Sequence, residues 1–128
     1  MLHKEEIICL LNEAAFDIEE YWITSGAAMV LHGIKETTRD IDLGCTSQMA
    51  DRLESEGYRV EVLRDGSRKI AFSEVIEIFE NWIEDKVILL EELPVVSIDG
   101  MIIMKEKLGR EKDLEDIRLI KEFRNSNR

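Results

Sequence analysis

The sequence predicts an α+β domain built on a mixed β-sheet flanked by helices. Three observations carry that prediction. In the first half, short aromatic or β-branched runs alternate with apolar segments at helical spacing. Two alternating runs then face each other across RDGS (64–67), the pattern of a hairpin. The last quarter closes with an amphipathic helix. The chain has 128 residues, which fits one domain, 1–128, and is long enough for a real core.

Taken in order, residues 4–15 place Ile7, Ile8, Leu10, Leu11, Ala14 and Ala15 at near-helical spacing. EYWIT (20–24) is a short strand by its aromatic and β-branched content. Gly26 breaks it, and AAMVLHG (27–33) reads as a short buried helix ended by Gly33. TRDIDLGC (38–45) is a second strand, and Ser47 is the expected N-cap of a helix over 48–56 that Gly57 stops. YRVEVL (58–63) and RKIAF (68–72) are the hairpin arms, and VIEIF (75–79) is a strand with Glu77 at its centre. NWIEDKVILLEELP (81–94) fits either a helix or a strand plus loop. VVSI (95–98) suits a strand, and Asp99 is positioned to cap a helix through about Leu108. After Gly109, residues 111–124 form an amphipathic helix on Leu114, Ile117, Ile120 and Phe123.

Composition narrows the function classes. At 45% hydrophobic and 35% charged residues with one proline, the chain is an ordinary globular protein. No apolar run approaches the roughly 20 residues of a membrane span, and MLHKEEIICLLNEAAF lacks the basic and small-residue regions of a signal peptide. Cys9 and Cys45 have no metal-binding spacing and read as free thiols of a reducing cytoplasm, the expected location. The net charge of −11 repels nucleic acid, so bulk nucleic-acid binding is not expected. A phosphorylated small molecule is still allowed, given a locally basic cleft or a divalent cation.

The chemistry concentrates in ETTRDIDL (36–43). On an extended strand Asp40 and Asp42 share one face, and Ile41 and Leu43 share the other. Carboxylates about 7 Å apart repel unless a cation lies between them. The bland alternative is solvent-facing decoration, but the apolar flanks argue for a central strand. Upstream, Ser25-Gly26 joins a strand directly to a helix; such a turn either caps a helix or presents backbone N–H groups to a phosphate. Glu77 points off its strand opposite its apolar neighbours. Three carboxylates fed by adjacent strands suit Mg²⁺, which takes hard oxygen ligands and completes its shell with water and phosphate oxygens.

These residues carry a resemblance. SGAAMVLHGIKETTRDIDL (25–43) resembles the signature of the nucleotidyltransferase superfamily, in the small bacterial branch related to AbiEii-type abortive-infection proteins. That signature is a Gly-Gly or Gly-Ser turn, a short helix ending near His-Gly, and an Arg-Asp-Ile-Asp-Leu strand. MIIMKEKLGREKDLEDIRLI (101–120) resembles the same branch, with its lysine-bearing helix, Arg-x-Lys-Asp turn and second helix. The resemblance implies a nucleotidyltransferase-like mixed sheet flanked by helices. It assigns Ser25 and Gly26 to the triphosphate turn, Asp40 and Asp42 to the metal, and Lys105 to the nucleotide. Glu77 falls where the family has its third carboxylate, commonly the shorter aspartate, so the expected catalytic and metal set is Asp40, Asp42 and Glu77.

The activity so implied is Mg²⁺-dependent transfer of a nucleoside monophosphate from a nucleoside triphosphate to an acceptor the sequence does not name. The alternative is an inactive member acting as a binding module, such as an antitoxin-like partner protein, which the small size favours. A homodimer that completes the acceptor site is a third reading. Other residues read as structural: Arg39 as an ion-pair partner of a neighbouring helix, His32 as a helix C-cap, and Lys112, Asp113 and Asp116 as helix-start and surface pairs. A solvated surface lysine is the plain alternative for Lys105. Trp22 and Trp82 are core or rim aromatics, with Trp82 also suited to line a base pocket.

Overall fold

The computed structural model describes residues 1–126. Strand β1 (Leu2–His3) leads into α1 (Lys4–Ala14), which starts with a His3–Glu6 capping box and ends at Ala15 in the left-handed region. Then follow β2 (Tyr21–Thr24), α2 (Ser25–Leu31), β3 (Thr37–Thr38), β4 (Ile41–Cys45) and α3 (Ser47–Ser55). The hairpin β5 (Arg59–Val62) and β6 (Arg68–Ala71) precedes β7 (Ile76–Glu80), β8 (Val87–Leu90) and β9 (Leu93–Val96). Helices α4 (Ile98–Leu108) and α5 (Glu111–Ser126) complete the chain.

Seven strands make one sheet in the order β5-β6-β7-β4-β2-β9-β8, while β1 and β3 pair separately. The sheet is mixed: β4 runs parallel to β7 and antiparallel to β2, which in turn runs parallel to β9. Register sorts the side chains. Rows through Tyr21/Ile23, Leu43/Cys45, Ile76/Ile78 and Ile70 put an apolar set on one face. With Ile7 and Leu11 of α1, Ala27–Leu31 of α2 and Met49, Ala50 and Leu53 of α3, they form one buried cluster. The opposite face carries Thr24, Asp42, Glu77 and Ala71 in one row, and Trp22, Gly44, Phe79 and Lys69 in the next. Helix α4 meets the sheet at Thr24, whose hydroxyl donates to Met104 Sδ at 2.9 Å.

Several local expectations shift. Thr46, not Ser47, caps α3, its Oγ1 accepting from the Met49 amide at 3.2 Å. Ser97 caps α4, while Asp99 lies inside the first turn and pairs with Arg124. The ambiguous stretch 81–94 is a loop followed by β8 and the start of β9. The expected strand over 38–45 divides, because Thr38 pairs with β1 and regular pairing resumes only at Ile41. On α5, Leu114 is 59% exposed where a buried position was expected. Asp113 turns inward there to meet Arg110, and the next residue, roughly 100° around a 3.6-residue helix, is carried outward.

Candidate functional site

The site forms where the apolar logic of the sheet stops. At the start of β4, Asp42 is half-buried, with Thr24 opposite it on β2 and Glu77 opposite it on β7. Burial first, then the charges of Asp40 and Glu77, pushes the Asp42 carboxyl up to about 6, against weaker pulls from Lys112 and Lys105. Asp40 is exposed and precedes β4, so a loop rather than strand alternation brings it beside Asp42.

Thr24 runs directly into Ser25-Gly26 and α2. Ser25 sits in the left-handed region at φ 57°, the conformation a glycine adopts freely. A Cβ on Gly26 would overlap the Thr38 hydroxyl. That hydroxyl donates to the Asp40 carbonyl at 3.2 Å, so the turn and the aspartate loop are locked together. Ser25, Gly26, Asp40, Asp42 and Glu77 all line one open cleft of about 1400 Å³.

One wall of the cleft is cationic. Lys105 of α4 is only 5% exposed, its Nζ lying 2.9 Å from Asp116 and 3.8 Å from Asp113. Asp116 also takes Lys35 at 2.8 Å, and Asp113 takes Arg110 at 2.6 Å. Burial works to raise Asp113, but Arg110 outweighs it and holds the carboxyl below its ordinary value. Lys35 and Lys105 do the same for Asp116. The surface readings of Lys105, Asp113 and Asp116 are therefore corrected: the three form a sheltered ion network across α4 and α5. Arg39 and Lys112 line the cleft with no ion pair among the described residues, against the helix pairing expected of Arg39 and the surface pairing expected of Lys112.

The other wall is aromatic. Gly44 leaves the sheet face open, and the Trp22 indole lies where a Cβ would stand. Its Nε1 donates to the Trp82 carbonyl at 2.8 Å, which fastens the 81–84 loop at the cleft. Trp82 meets Phe79 edge-on at 5.0 Å and lines the cleft with Ile83 and Leu63. Glu77 is paired with Lys69 of β6 at 3.0 Å. His32 ends α2 as expected, yet its Nε2 donates to the Val96 carbonyl of β9 at 2.9 Å rather than to its own helix. Burial lowers its pKa, in keeping with a neutral structural ring.

Sequence reasoning missed Gly44, Lys69 and the inward turn of Asp113. A glycine inside a strand signals close backbone or ring approach, so Gly44 was readable. Lys69 was not, because its role depends on the register of β6 against β7.

Among the described residues no three His, Cys, Asp or Glu side chains form a group able to hold a metal ion. Mg²⁺ takes one or two carboxylates and completes its shell with water and substrate phosphates. Asp40 and Asp42 fit as donors: both are hard oxygens, and the Asp42 carboxyl, raised first by burial and then by the charges of Asp40 and Glu77, sits where a cation would offset negative charge.

No protein-family model and no curated protein sequence matches the chain. Among solved structures it is similar to the lincomycin-bound lincosamide antibiotic adenylyltransferase LnuA, with a TM-score of 0.57 over 90% of this chain and 92% of that one, at 18% identity. At that identity the likeness concerns architecture, and the chain has a nucleotidyltransferase-like α+β fold.

Proposed function

We propose that this chain is a Mg²⁺-dependent nucleotidyltransferase, transferring a nucleoside monophosphate from a nucleoside triphosphate to a hydroxyl-bearing small molecule. The observation that carries the reading is the meeting of Asp42, Asp40 and the Ser25-Gly26 turn in one open cleft, on a fold shared with an adenylyltransferase. Assignment to the AbiEii-related branch rests on the sequence signature alone.

Asp40 and Asp42 would hold Mg²⁺. When bound, the ion would neutralise phosphate charge and favour attack of the acceptor hydroxyl on the α-phosphate, with pyrophosphate leaving. The backbone N–H groups of Ser25-Gly26 grip phosphate oxygens, and Lys105 adds a positive charge from the facing wall. Asp113 and Asp116 are positioning residues, since they fix the Lys105 ammonium. The aromatic wall with Trp82, Ile83 and Leu63 offers the acceptor an apolar surface.

The binding-module reading drew on small size. LnuA, an adenylyltransferase by its description and bound to lincomycin, aligns over 92% of its own chain, which supports the reading that this length leaves room for an acceptor site. The test is equilibrium binding of ATP, GTP, CTP and UTP with Mg²⁺. At least one should bind the native chain, and Asp42→Asn should weaken it at least tenfold. Absence of all four, or binding indifferent to Asp42→Asn, would falsify the proposal.

A further inference from the structure

Glu77 comes to the site already occupied. Its Oε2 lies 3.0 Å from Lys69 Nζ. Directly across from Glu77 on β6 stands Ala71, which leaves room, while Lys69 reaches it along the diagonal. Lys69 is itself opposite Phe79 on β7 and Glu61 on β5, and its ammonium lies 5.9 Å from the centre of the Phe79 ring. The hydrogen bond and charge of Glu77, then the charges of Glu61 and Asp42, hold Lys69 above the ordinary lysine value.

We propose that Lys69 is the second cation of this centre: one divalent ion binds on Asp40 and Asp42, and Glu77 holds the Lys69 ammonium instead of a second metal ion. The proposal rests on the assignment of Asp40 and Asp42 given above. An isolated exposed ion pair is weak, but this ammonium is tethered on the strand next to Glu77, has Glu61 opposite it on β5 and the Phe79 ring beside it, and feels the charge of Asp42. A second divalent ion would have to shed water, displace that ammonium and then endure its repulsion at short range. The glutamate side chain is long enough to span the diagonal to the neighbouring strand.

Mn²⁺ titration of the full chain, followed by electron paramagnetic resonance with a non-hydrolysable ATP analogue present, tests the count without recourse to activity. The native chain should take one Mn²⁺. Lys69→Met should admit a second, and the Lys69→Met/Glu77→Gln double variant should return to one, because the second ion then lacks its carboxylate. Both side chains are partly exposed, and circular-dichroism melts establish that each variant folds. Two Mn²⁺ on the native chain overturn the proposal. So does a folded Lys69→Met variant that stays at one, or a folded double variant that still takes two. If the native chain takes no Mn²⁺ with the nucleotide, the nucleotidyltransferase assignment falls and this proposal with it. If Asp42→Asn loses the ion while the native chain keeps it, the assignment stands and the two other variants decide.

Discussion

Asp42 sets stability against chemistry in a single side chain. Its carboxyl is pushed up to about 6 from the ordinary 3.8, so the folded state holds the proton more tightly than the unfolded chain does. Stability from this group is therefore present below about pH 4 and is lost as pH rises through about 6. Asp42→Asn removes the charge and with it the loss. In metal-free solution at pH 7 the variant should be more stable than the native chain by about 3 kcal/mol, the difference shrinking toward zero near pH 4. Urea unfolding in a chelator at several pH values checks this, and a difference independent of pH would contradict it. Gly44 makes the opposite case. Its lack of a side chain admits the Trp22 indole, so Gly44→Ala should cost about 1–3 kcal/mol by overpacking. The same change should loosen the Trp22–Trp82 bond, visible as a shift in tryptophan fluorescence, since these are the chain's two tryptophans. An unchanged spectrum with unchanged stability would show that the ring has another way to settle.

Between elements, the strand connections show where local chemistry yields to the fold. The β8–β9 turn is made by Glu91 and Glu92, both left-handed at φ 52° and 63°. Two consecutive residues with positive φ make the kind of turn that favours Asn-Gly. Replacing the pair by Asn-Gly should raise stability by about 2 kcal/mol, because each non-glycine residue in that region costs about 1–2 kcal/mol. The lost Lys4–Glu91 contact is exposed and subtracts little. A rise in the urea midpoint at constant slope would bear this out, and a fall would show that the Lys4 contact matters more than the backbone. These turns also mark the limit of what sequence revealed. Residues 81–94 stayed ambiguous because no Gly, Asn or Pro signals the Glu91-Glu92 turn, and helix-favouring glutamates sit where the chain reverses. The mixed sheet and the five helices of the described residues were legible, since apolar period is a local property. The caps of α3 and α4 fall one and two residues before the expected Ser47 and Asp99. The Ser25-Gly26 to Asp42 segment was legible too, because it is contiguous in sequence. The Lys105–Asp113–Asp116 network was not, because burial of a charged residue depends on how α4 and α5 pack. Arg39 was misjudged for a related reason: strict alternation assumed a strand through Asp40 that the β1–β3 pairing interrupts.

At the scale of the molecule, the cleft lies between a sheet face bearing the aromatic wall and the α4–α5 pair bearing the cationic wall. A ligand that touches both sides binds the folded state and has no counterpart in the unfolded chain, so it must raise stability by mass action. A nucleoside triphosphate with Mg²⁺ at about 100 times its dissociation constant should add about 2.7 kcal/mol, a melting-temperature rise of about 10 °C for a chain of this size. Ionic strength complicates the measurement. The net charge of −11 makes the folded chain repel itself, and added salt alone relieves that repulsion. The two causes separate by where they act. Screening is a property of the whole surface, so KCl at matched ionic strength should stabilise the native chain and Asp42→Asn by similar amounts. Specific binding is a property of the cleft, so the nucleotide increment beyond KCl should appear in the native chain and vanish in Asp42→Asn. Equal increments in both proteins would assign the whole effect to charge screening, and the carboxylates at the mouth of β4 would then have no part in holding a ligand.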